Sequence, residues 1–503
     1  MNQDNGGIIG KLNTPTTSVA SGVWTLQDQF EAQTSSIWPL AFPQTTIANS
    51  CRFESGNSDY LDKTFSSASD ENKIFTVSTW VKKSKLGAVD SHQALISAYR
   101  SSDGLQTDVV RFPSNDTFQF YAHTTNSGTN AQLSTNRLFR DVGAWYHIVV
   151  RVDTTQSTAS DRVRIYINGT QETSFSTETY PDQNGTVVWG LGSGVSHQIG
   201  AVGNSHHYSG YLAETIYVDN QSLDATSFGA FNPVTNIWEP IAYAGTYGTN
   251  GFRLDFANSS ALGNDVSGND NDFTANNLTS IDQVTDTCSN NFATWNPLQA
   301  VGIGATFSNG NLFAEQGAGN TYASRIPSSI AVSSGKWYAE FKYVQISNTN
   351  TGPTVGISYA DTDVLSNPTA SGNSDISLRM DRSLFNNGSE TSTYSASISN
   401  NDIIGVALDM NNKKVYFSVN GTFANSSNPA DGTNSIAIGN AVTSETSMHF
   451  NCRPLDEYIQ ANFGAPPFSI SSGNADANGF GNFEYAVPSG YFALCTKNLA
   501  EFG

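Results

Sequence analysis

Two stretches of this sequence share one pattern, and that pattern constrains the fold more than any other feature. Residues 144–171 and 402–423 each contain an apolar run, a polar turn and a second run in which apolar and polar residues alternate. Alternation with a period of two is typical of a strand with one buried and one solvated face. Each second run ends in Asn-Gly-Thr, and Asn-Gly supplies the positive-φ residues that a tight hairpin turn needs. Both stretches therefore predict β-hairpins.

The alternation also predicts which side chains of the hairpins face water. The apolar sets are expected to be buried, and they are Val163, Ile165 and Ile167 in the first hairpin and Val415, Phe417 and Val419 in the second. The other sets are expected to be solvated, and they are Arg162, Arg164 and Tyr166 in the first hairpin and Lys414, Tyr416 and Ser418 in the second.

Length and composition extend the prediction to the whole chain. Its 503 residues are enough for two or three domains. Aromatic residues make up 11% of the chain and charged residues only 14%, so Asn, Ser, Thr and Gly must provide most of the polar surface. Short strand-like runs lie between turn residues throughout. We expect an all-β protein with two antiparallel β-sandwiches (jelly-roll type) in series, preceded by an N-terminal extended arm with a short helix.

Changes in pattern place the boundaries of these parts. Residues 1–45 contain several glycines and prolines around one helix candidate, for which Ser21 is the candidate N-cap, and they form an anchoring arm. Residues 46–235 and 296–503 carry the frequent strands of the two sandwiches. Residues 236–295 form a connector with little alternation.

The charge balance excludes several classes of partner. The chain has 44 acidic and 24 basic residues and a net charge of −20, so nucleic acid phosphates and anionic lipid should repel it. The same charge favours divalent cations. The four cysteines are far apart and form no Cys-x-x-Cys pair, which predicts reduced thiols rather than disulfides or a zinc site.

The chain shows no targeting or membrane segment of its own. Its first residues lack the basic and apolar regions of a signal peptide, and no apolar run approaches the roughly 18 residues of a transmembrane helix. We therefore expect no membrane insertion.

The strands of the first sandwich follow a family pattern. In order they include FTVSTWVKK (75–83), WYHIVVRVD (145–153), RVRIYIN (162–168) and AETIYVDN (213–220). A W-x-H-[IV] strand followed by a strand ending in Asn-Gly resembles the concanavalin A-like, laminin G-like family. The resemblance implies a β-sandwich over nearly the whole of residues 46–235.

The second sandwich carries a different set of motifs. It contains SGKWYAEFKYV (334–344), TVGISY (354–359), the hairpin at 402–423 and NFGAPPF (462–468). Their order and spacing resemble the SPRY family, with its G-x-W-Y-x-E strand, V-G-I strand, D…V-x-F-x-x-N-G hairpin and late N-F-G-x-x-P-F. That resemblance implies a twisted β-sandwich.

The combination of parts has a resemblance of its own. The N-terminal GIIGKLNTPTTSVASGVWTLQDQFEAQ, the laminin G-like domain, the connector's SGNDNDFT and the SPRY-like domain together resemble virion structural proteins of marine tailed phages. The resemblance implies a protein that is made in the host cytoplasm without a signal peptide and placed on the virion surface. It also implies a homo-oligomer, commonly a trimer, although no coiled-coil heptads set the number.

The sequence offers no catalytic constellation. Glycoside hydrolases of the concanavalin A-like fold need paired carboxylates on one strand. The closest strand acid is Glu340, but Lys342 and Val344 occupy the positions where a partner would stand. No nucleophile elbow, zinc-protease motif or P-loop is present. We expect a protein that is not an enzyme.

One polar loop has the composition of a cation site. Oxygen-bearing side chains recur in its sequence at Asp265, Ser267, Asn269, Asp270 and Asp272. Calcium takes several such oxygens from a flexible loop, but the glutamate of an EF-hand is replaced by Asn276. Two interpretations stay open: a calcium-type site formed by Asp265, Asn269, Asp270 and Asp272, or an Asx-turn loop that hydrogen-bonds its own backbone. The sequence implies no other cofactor.

Sugar recognition requires aromatic faces beside polar groups on an exposed rim. The candidates are Tyr166, Trp189, His206, His207 and Tyr208 in the first sandwich and Tyr394 and Tyr416 in the second. Each could equally serve in packing. The adjacent His206 and His207 would point to opposite sides if they lay on a strand.

The leading hypothesis is a virion surface protein, such as a tail fibre, knob or decoration element, that attaches the particle to a host-surface glycan or receptor. Residues 1–45 would bind it to other virion proteins or sister subunits. The alternative is a purely structural capsid or tail component whose sandwiches pack against other virion proteins without a host ligand. A polysaccharide depolymerase is disfavoured because the acid pair is missing.

Overall fold

A computed structural model describes residues 25–34, 45–66, 73–87, 91–100, 106–123, 131–189, 195–233, 235–300, 304–316, 325–344, 352–360, 375–386, 388–439, 446–455 and 457–503. The chain forms two compact units. The larger consists of Ile47–Ala225 and Gly245–Gly503, and the smaller of Met1–Thr46 and Thr226–Ala244.

Strands dominate the first half of the chain. In order, its helices and strands are α1 (Leu26–Thr34), β1 (Ser50–Phe53), β2 (Tyr60–Thr64), β3 (Ile74–Lys83), β4 (His92–Arg100), β5 (Gln106–Pro113), β6 (Thr117–Ala122), β7 (Ala131–Leu138), β8 (Tyr146–Asp153), α2 (Ala159–Arg162), β9 (Val163–Ile167), β10 (Thr170–Gln171), β11 (Phe175–Thr179), β12 (Val195–Ile199), β13 (Gly210–Asp219), β14 (Gly229–Phe231), β15 (Trp238–Pro240), β16 (Phe252–Leu254), β17 (Thr274–Asn276) and β18 (Gln283–Val284). Single turns of 3₁₀ helix lie at Ser55–Asn57, Ala225–Ser227 and Ser280–Asp282.

The smaller unit contains α1 and a short hairpin. Thr25 and Asp28 cap α1, because Thr25 Oγ1 donates to Asp28 Oδ2 at 2.7 Å and the Asp28 amide donates to Thr25 Oγ1 at 3.1 Å. The helix falls where the sequence predicts one, but the predicted N-cap Ser21 and most of the predicted arm lie outside the described residues. Strands β14 and β15 pair with each other, and the Thr45 amide donates to the Pro240 carbonyl at 2.9 Å.

The first sandwich consists of two eight-stranded sheets. Sheet A has the order β10-β9-β8-β3-β13-β1-β18, with β16 paired to β13, and sheet B has the order β11-β7-β6-β5-β4-β12-β2-β17. The inward side chains of both sheets form one apolar core, which includes Val77, Val150 and Ile165 from sheet A and Phe112 and Phe120 from sheet B. This arrangement confirms the predicted first antiparallel sandwich.

The predicted connector is largely part of that sandwich. Strand β16 pairs with β13 in sheet A, β17 extends sheet B beside β2, and β18 extends sheet A beside β1. The three strands have only two or three residues each, which is too short for alternation to be visible in the sequence. Their pairing comes instead from edge positions that the longer strands leave open.

The second half of the chain builds the second sandwich. Its elements are β19 (Ala305–Ser308), β20 (Phe313–Gln316), β21 (Ile326–Pro327), β22 (Lys336–Val344), β23 (Thr354–Tyr359), β24 (Ile376–Arg379), β25 (Ser383–Asn386), β26 (Ser389–Thr393), β27 (Ile403–Asp409), β28 (Lys414–Val419), β29 (Thr422–Phe423), β30 (Ile436–Ala437), β31 (Met448–Arg453), β32 (Tyr458–Asn462), β33 (Phe492–Ala493) and α3 (Thr496–Phe502). Sheet C has the order β19-β20-β32-β22-β27-β28-β29, with β30 beside β28 and β33 beside β22. Sheet D has the order β21-β31-β23-β24-β25-β26.

Both predicted hairpins are present, as β8–β9 and β27–β28. Val150 pairs with Ile165 in the first, and Val406 pairs with Phe417 in the second, so the apolar faces lie in register. The turns have positive φ at both central residues, 48° and 79° at Asn168-Gly169 and 49° and 76° at Asn420-Gly421. Positive φ at both positions is the type I′ geometry that Asn-Gly favours.

The predicted solvated faces of the hairpins are only partly solvated. Tyr416 and Ser418 are buried, with 1% and 0% of their surface exposed, and Tyr166 is also buried. In sheet C the cause is the segment 464–495, which packs over the outer face and brings Phe483 and Tyr491 into one apolar cluster with Tyr416. Alternation identified the two faces correctly, but it could not show that a later segment covers the second one.

The two sandwiches meet at a contact that we call the junction, formed by Arg52, Glu54, Lys82, Tyr211 and Asp286 of the first sandwich and their partners. Lys82 Nζ donates to Asp286 Oδ2 at 2.8 Å, and both side chains are 1% exposed. Tyr211 Oη donates to the Gly310 carbonyl at 2.9 Å, and Arg52 Nη1 donates to the Pro466 carbonyl at 3.2 Å.

An apolar cluster completes the junction. It joins Tyr211 and Val284 of sheet A to Tyr338 and Tyr416 of sheet C through residues such as Phe292. Two sandwiches that share buried rings and buried hydrogen bonds form one packed body, in agreement with the single larger unit of the chain.

The remaining general predictions concern thiols and membranes. All four cysteines are free in the structure, and burial raises the pKa of the Cys51 and Cys452 thiols well above their usual range. Within the described ranges no helix is both long and apolar enough to cross a membrane.

Candidate functional site

Most rings that the sequence proposed for sugar stacking are packing residues. Trp189 and Tyr208 lie in the core of the first sandwich, and Tyr394 lies in the core of the second, where its hydroxyl donates to the Phe417 carbonyl. Tyr166 and Tyr416 are also less than one tenth exposed. A buried ring cannot present its face to a ligand from solvent, so the structure corrects the prediction for these five residues.

The two adjacent histidines have separate environments. His207 is 7% exposed, and its ring lies 5.7 Å from that of Tyr60. His206 is half-buried, has a positive φ of 53° and stacks on His92 with ring centroids 3.9 Å apart. They lie on a loop rather than on a strand, and only His206 reaches an open surface of the first sandwich.

That surface is the outer side of sheet B. Along β5, Val110 and Phe112 point into the core while Val109 and Arg111 point outward. Along β6, Phe118 and Phe120 point into the core while Gln119 and Tyr121 point outward. We call this outer side the open face. Its half-buried side chains are His92, Arg111, Tyr121 and His206, and Ala94, Gln119 and Ser134 lie buried beneath and between them.

A polar row crosses the open face from strand to strand. Ala94 pairs with Arg111, Arg111 with Gln119, and Gln119 with Ser134. Arg111 Nε donates to Gln119 Oε1 at 2.6 Å, and Gln119 Nε2 donates to Ser134 Oγ at 2.7 Å. The chain of hydrogen bonds fixes the orientation of the guanidinium and the amide, so these groups are preorganised.

Aromatic rings surround Arg111. Its guanidinium lies 5.1 Å from the centroid of the Tyr121 ring, and its Nη1 donates toward His92 Nε2 at 3.2 Å. Burial, Arg111 and His206 together lower the pKa of His92 to about 3, so this imidazole stays neutral at physiological pH. Arg111 is therefore a fixed positive charge beside neutral rings.

Within the part of the chain that the structure describes, no carboxylate pairs with Arg111. None of the ion pairs among the described residues includes Arg111. Asp108, on the same strand, is fully buried and accepts instead from the amides of Trp189 and His123. Burial accordingly lowers the pKa of the Arg111 guanidinium.

A loop forms the floor and rim on one side of the open face. Val202 packs on Ala94 and Val109, and the half-buried ring of Tyr99 packs against the same small cluster. Asn204 accepts at its Oδ1 from Gln198 Nε2 at 2.6 Å. The open face thus combines an apolar floor, half-buried rings and oriented polar groups.

The proposed cation loop uses its oxygens internally. Asp265 Oδ1 accepts from the amides of Arg253 and Ser267, and its Oδ2 accepts from Ser267 Oγ and the Asn271 amide. Asp272 Oδ1 accepts from the Asp265 amide at 2.8 Å.

The other two proposed ligands do not converge on Asp265. Asn269 donates to the carbonyls of Gly248 and Gly251, and Asp270 is exposed with a φ of 56°. Across the described part of the chain, no group of three or more His, Cys, Asp or Glu side chains could hold a metal ion. The geometry is that of the Asx-turn alternative, in which the loop satisfies its own backbone.

Glu340, the closest strand acid, is a buried structural group. Its carboxylate accepts from the amides of Glu484 and Tyr485 at 2.9 and 2.8 Å, and from Tyr338 Oη and Asn462 Nδ2 at 3.2 Å each. Burial raises its pKa to about 7. The carboxylate anchors the segment 464–495 on sheet C, and its hydrogen-bond partners are two backbone amides, a hydroxyl and a side-chain amide rather than a second acid.

Sequence reasoning missed Arg111, Gln119, Tyr121 and His92. The available signal was the alternation in DVVRF and TFQFYAH, where Arg111, Gln119 and Tyr121 occupy the positions opposite the apolar set. Alternation shows which side chains of each strand point outward. It does not show that the two strands are neighbours in one sheet, with their outward side chains side by side.

Comparison with protein families agrees with the two sandwiches. Residues 55–219 match the model of the concanavalin A-like lectin/glucanases superfamily, of laminin G type, and residues 336–428 match the SPRY domain. The chain thus carries a concanavalin A-like domain followed by a SPRY domain, as the sequence motifs indicated. Domains of these two kinds suggest a protein that binds carbohydrate or other proteins.

Among solved structures, the chain is similar to the SPRY domain of human HERC1 at 20% identity and a TM-score of 0.25, covering 31% of this chain and 91% of that chain. It is similar to a native heptameric SAP-like pentraxin from Limulus polyphemus at 17% identity and a TM-score of 0.26, covering 36% and 79%. It is similar to the TRIM65 PSpry domain at 12% identity and a TM-score of 0.26, covering 34% and 91%. No curated protein matches the sequence.

Proposed function

We propose that this chain is a non-enzymatic binding protein of a virion surface, and that the open face of its first sandwich binds a host-surface glycan. The observation that carries the proposal is the open face itself, where Arg111, Gln119 and Tyr121 stand beside the stacked rings of His92 and His206. Oriented polar groups next to aromatic rings select and hold sugar rings.

The location on a virion is supported by the sequence. The N-terminal run, the two domains in this order and SGNDNDFT resemble virion structural proteins of marine tailed phages. In this proposal the protein is made in the host cytoplasm, residues 1–45 bind other virion proteins, and the mature form is a homo-oligomer, such as a trimer. The lack of a catalytic acid pair in the sequence supports attachment without cleavage of the glycan.

The experiment is a glycan array probed with the full chain and with Tyr121→Ala. We expect binding to a subset of bacterial surface glycans, loss of that binding in Tyr121→Ala, and no release of reducing sugars. A matched control is Tyr485→Ala, which removes a ring from the other sandwich. Binding that survives Tyr121→Ala unchanged would place the ligand elsewhere and contradict the proposal.

A second candidate function rests on exposed apolar side chains of the smaller unit. Phe30, Phe231 and Ile237 of the smaller unit are 61%, 46% and 59% exposed. Phe231 and Ile237 flank the turn between β14 and β15, and apolar side chains that are exposed side by side favour contact with another protein. A purely structural role, in which the chain only packs against other virion proteins, is therefore the alternative. It predicts an array without hits, together with failed incorporation into particles when Phe231 and Ile237 are both changed to Ser.

A further inference from the structure

The open face contains a half-buried cation, Arg111, whose environment differs from that of three fully buried cations of this protein. Lys82 pairs with Asp286, Lys83 with Asp116, and Arg325 with Asp375, and all three cations are at most 2% exposed. Even the half-buried Arg253 has its carboxylate, Glu214. These cations have an acid because an unbalanced buried charge is costly. Arg453, which is 8% exposed, is like Arg111 in that none of the ion pairs among the described residues includes it.

Arg111 lacks such an acid although it is partly removed from water. Its hydrogen-bond partners are a neutral amide, Gln119, and a neutral imidazole, His92. Nε and Nη1 make these contacts, and Nη2 makes no hydrogen bond to the described residues. The guanidinium therefore keeps both its charge and a donor for a partner that is not part of this chain.

The partner that would relieve this cost is an oxyanion. Guanidinium groups bind carboxylates and sulfates through two parallel N–H donors, and such charge-assisted hydrogen bonds are roughly twice as strong as neutral ones. Gln119 and the neutral His92 hold the guanidinium in place, so little side-chain entropy is lost on binding.

We propose that the open face is selective for an acidic saccharide, and that Arg111 binds its carboxylate or sulfate group while the rings of Tyr121 and His206 contact the sugar. This inference rests on the proposed carbohydrate binding and adds the class of ligand. Because the chain has a net charge of −20, it repels polyanions at long range, so binding of an acidic saccharide has to come from a local site.

The test measures the affinity of the full chain for matched oligosaccharides by titration calorimetry. The probes are hexagalacturonate, its fully methyl-esterified form, and a sulfated galactan hexasaccharide. The methyl ester has the same sugar backbone without the charge, and the third probe separates sulfate from carboxylate as the anion. We expect at least one anionic probe to bind about 10- to 100-fold more tightly than the methyl ester.

Two variants assign the effect to Arg111. Arg111→Gln should remove the preference for the anionic probe, so that the acid and its methyl ester bind this variant with equal affinity. Arg111→Lys keeps the charge but loses the paired donors, so it should retain only part of the preference. Circular dichroism of both variants checks that they fold.

The outcomes separate this inference from the proposed function. Equal affinity for the acid and its ester, with loss of both in Tyr121→Ala, would overturn the anionic ligand and leave carbohydrate binding standing. If the chain bound none of the three probes and all its hits on the glycan array were neutral, the anionic ligand would again be overturned and carbohydrate binding would stand. An anionic preference that persists in Arg111→Gln would also contradict the role of Arg111.

Discussion

The first sandwich has two outer faces, and they treat their cationic side chains in opposite ways. On sheet A, at the junction, Lys82 reaches Asp286, the Asn291 side chain and the Phe292 carbonyl, so every donor of its ammonium group has an acceptor. On sheet B, at the open face, Arg111 has neutral partners and a donor to spare. The difference indicates that charge at the junction serves the fold, while charge on the open face remains available for a ligand.

The aromatic rings of the two faces also differ, because those on sheet A are covered and those on sheet B are partly exposed. On sheet A, Tyr211 is 0% exposed, because the second sandwich packs over it at the junction. Tyr99 and Tyr121 on the open face are only half-buried. A face that is already covered contributes to stability, and a face that is partly uncovered can contribute to binding.

The largest loss of stability is expected when the buried positive charge of Lys82 at the junction is removed. Lys82→Met leaves the buried carboxylate of Asp286 without its cation, and we expect the free energy of unfolding to fall by about 3–5 kcal/mol. Urea denaturation measures the loss. Arg137→Met is the control, because Arg137 pairs with Glu172 while 49% exposed, and it should cost less than about 1 kcal/mol. Equal losses of unfolding free energy in the two variants would show that the buried pair at the junction contributes no more than the exposed pair.

A smaller effect is expected at the carboxylate that anchors segment 464–495. In Glu340→Gln an amide nitrogen replaces one acceptor oxygen and faces a backbone N–H, so we expect a loss of about 1–3 kcal/mol. Hydrogen exchange at Glu484 and Tyr485 should speed up in the same variant. Glu178→Gln, at an exposed carboxylate, serves as the control. Unchanged exchange at both amides would show that the segment is held in other ways.

The pH dependence of stability tests the buried histidine of sheet A. Burial lowers the pKa of His147 to about 3, whereas an unfolded histidine titrates near about 6.5. Between these values the unfolded state binds more protons, so this contribution to stability is complete above pH 6.5 and is lost as the pH falls toward 3.

At pH 5 the loss from this histidine is about 2 kcal/mol. Urea denaturation at pH 7 and pH 5 should show a smaller difference for His147→Gln than for the unmodified protein. His123→Gln, which changes a half-buried histidine on the other sheet, is the comparison. Identical pH dependence in all three proteins would contradict the assignment.

The smallest effect is expected for Arg111→Gln. No carboxylate is left unpaired by the substitution, so the free energy of unfolding should change by less than about 1 kcal/mol. Thermal denaturation beside Lys82→Met gives the direct contrast. A loss as large as that of Lys82→Met would show that Arg111 serves the fold, and the two faces would then not differ.

The sequence predicts the parts of this fold that depend on local chemistry. Alternation located the strands of both hairpins, and Asn-Gly located their turns, because side-chain period and positive φ are properties of a few adjacent residues. Strands β16 and β17 were assigned to a connector instead, since three-residue strands are defined by the neighbours they pair with rather than by their own sequence.

The candidate site was harder to predict for the same reason. His206 was proposed for its ring, but its partner His92 lies more than a hundred residues earlier and meets it only in the folded chain. Trp189 and Tyr208 were proposed on the same chemical grounds and are in the core. Residue type identifies which side chains could bind a sugar, whereas exposure depends on how the sheets pack.

The hydrogen bond from Arg52 to the Pro466 carbonyl spans 414 residues of sequence. Contacts of such high sequence separation slow folding, because a long loop must close before its contacts can stabilise anything. During synthesis, sheet C is without its cover until segment 464–495 has been made, and the rings of Tyr338 and Tyr416 remain uncovered until then. A ribosome-bound chain ending before residue 464 is therefore expected to recruit chaperones, and a full-length chain to release them.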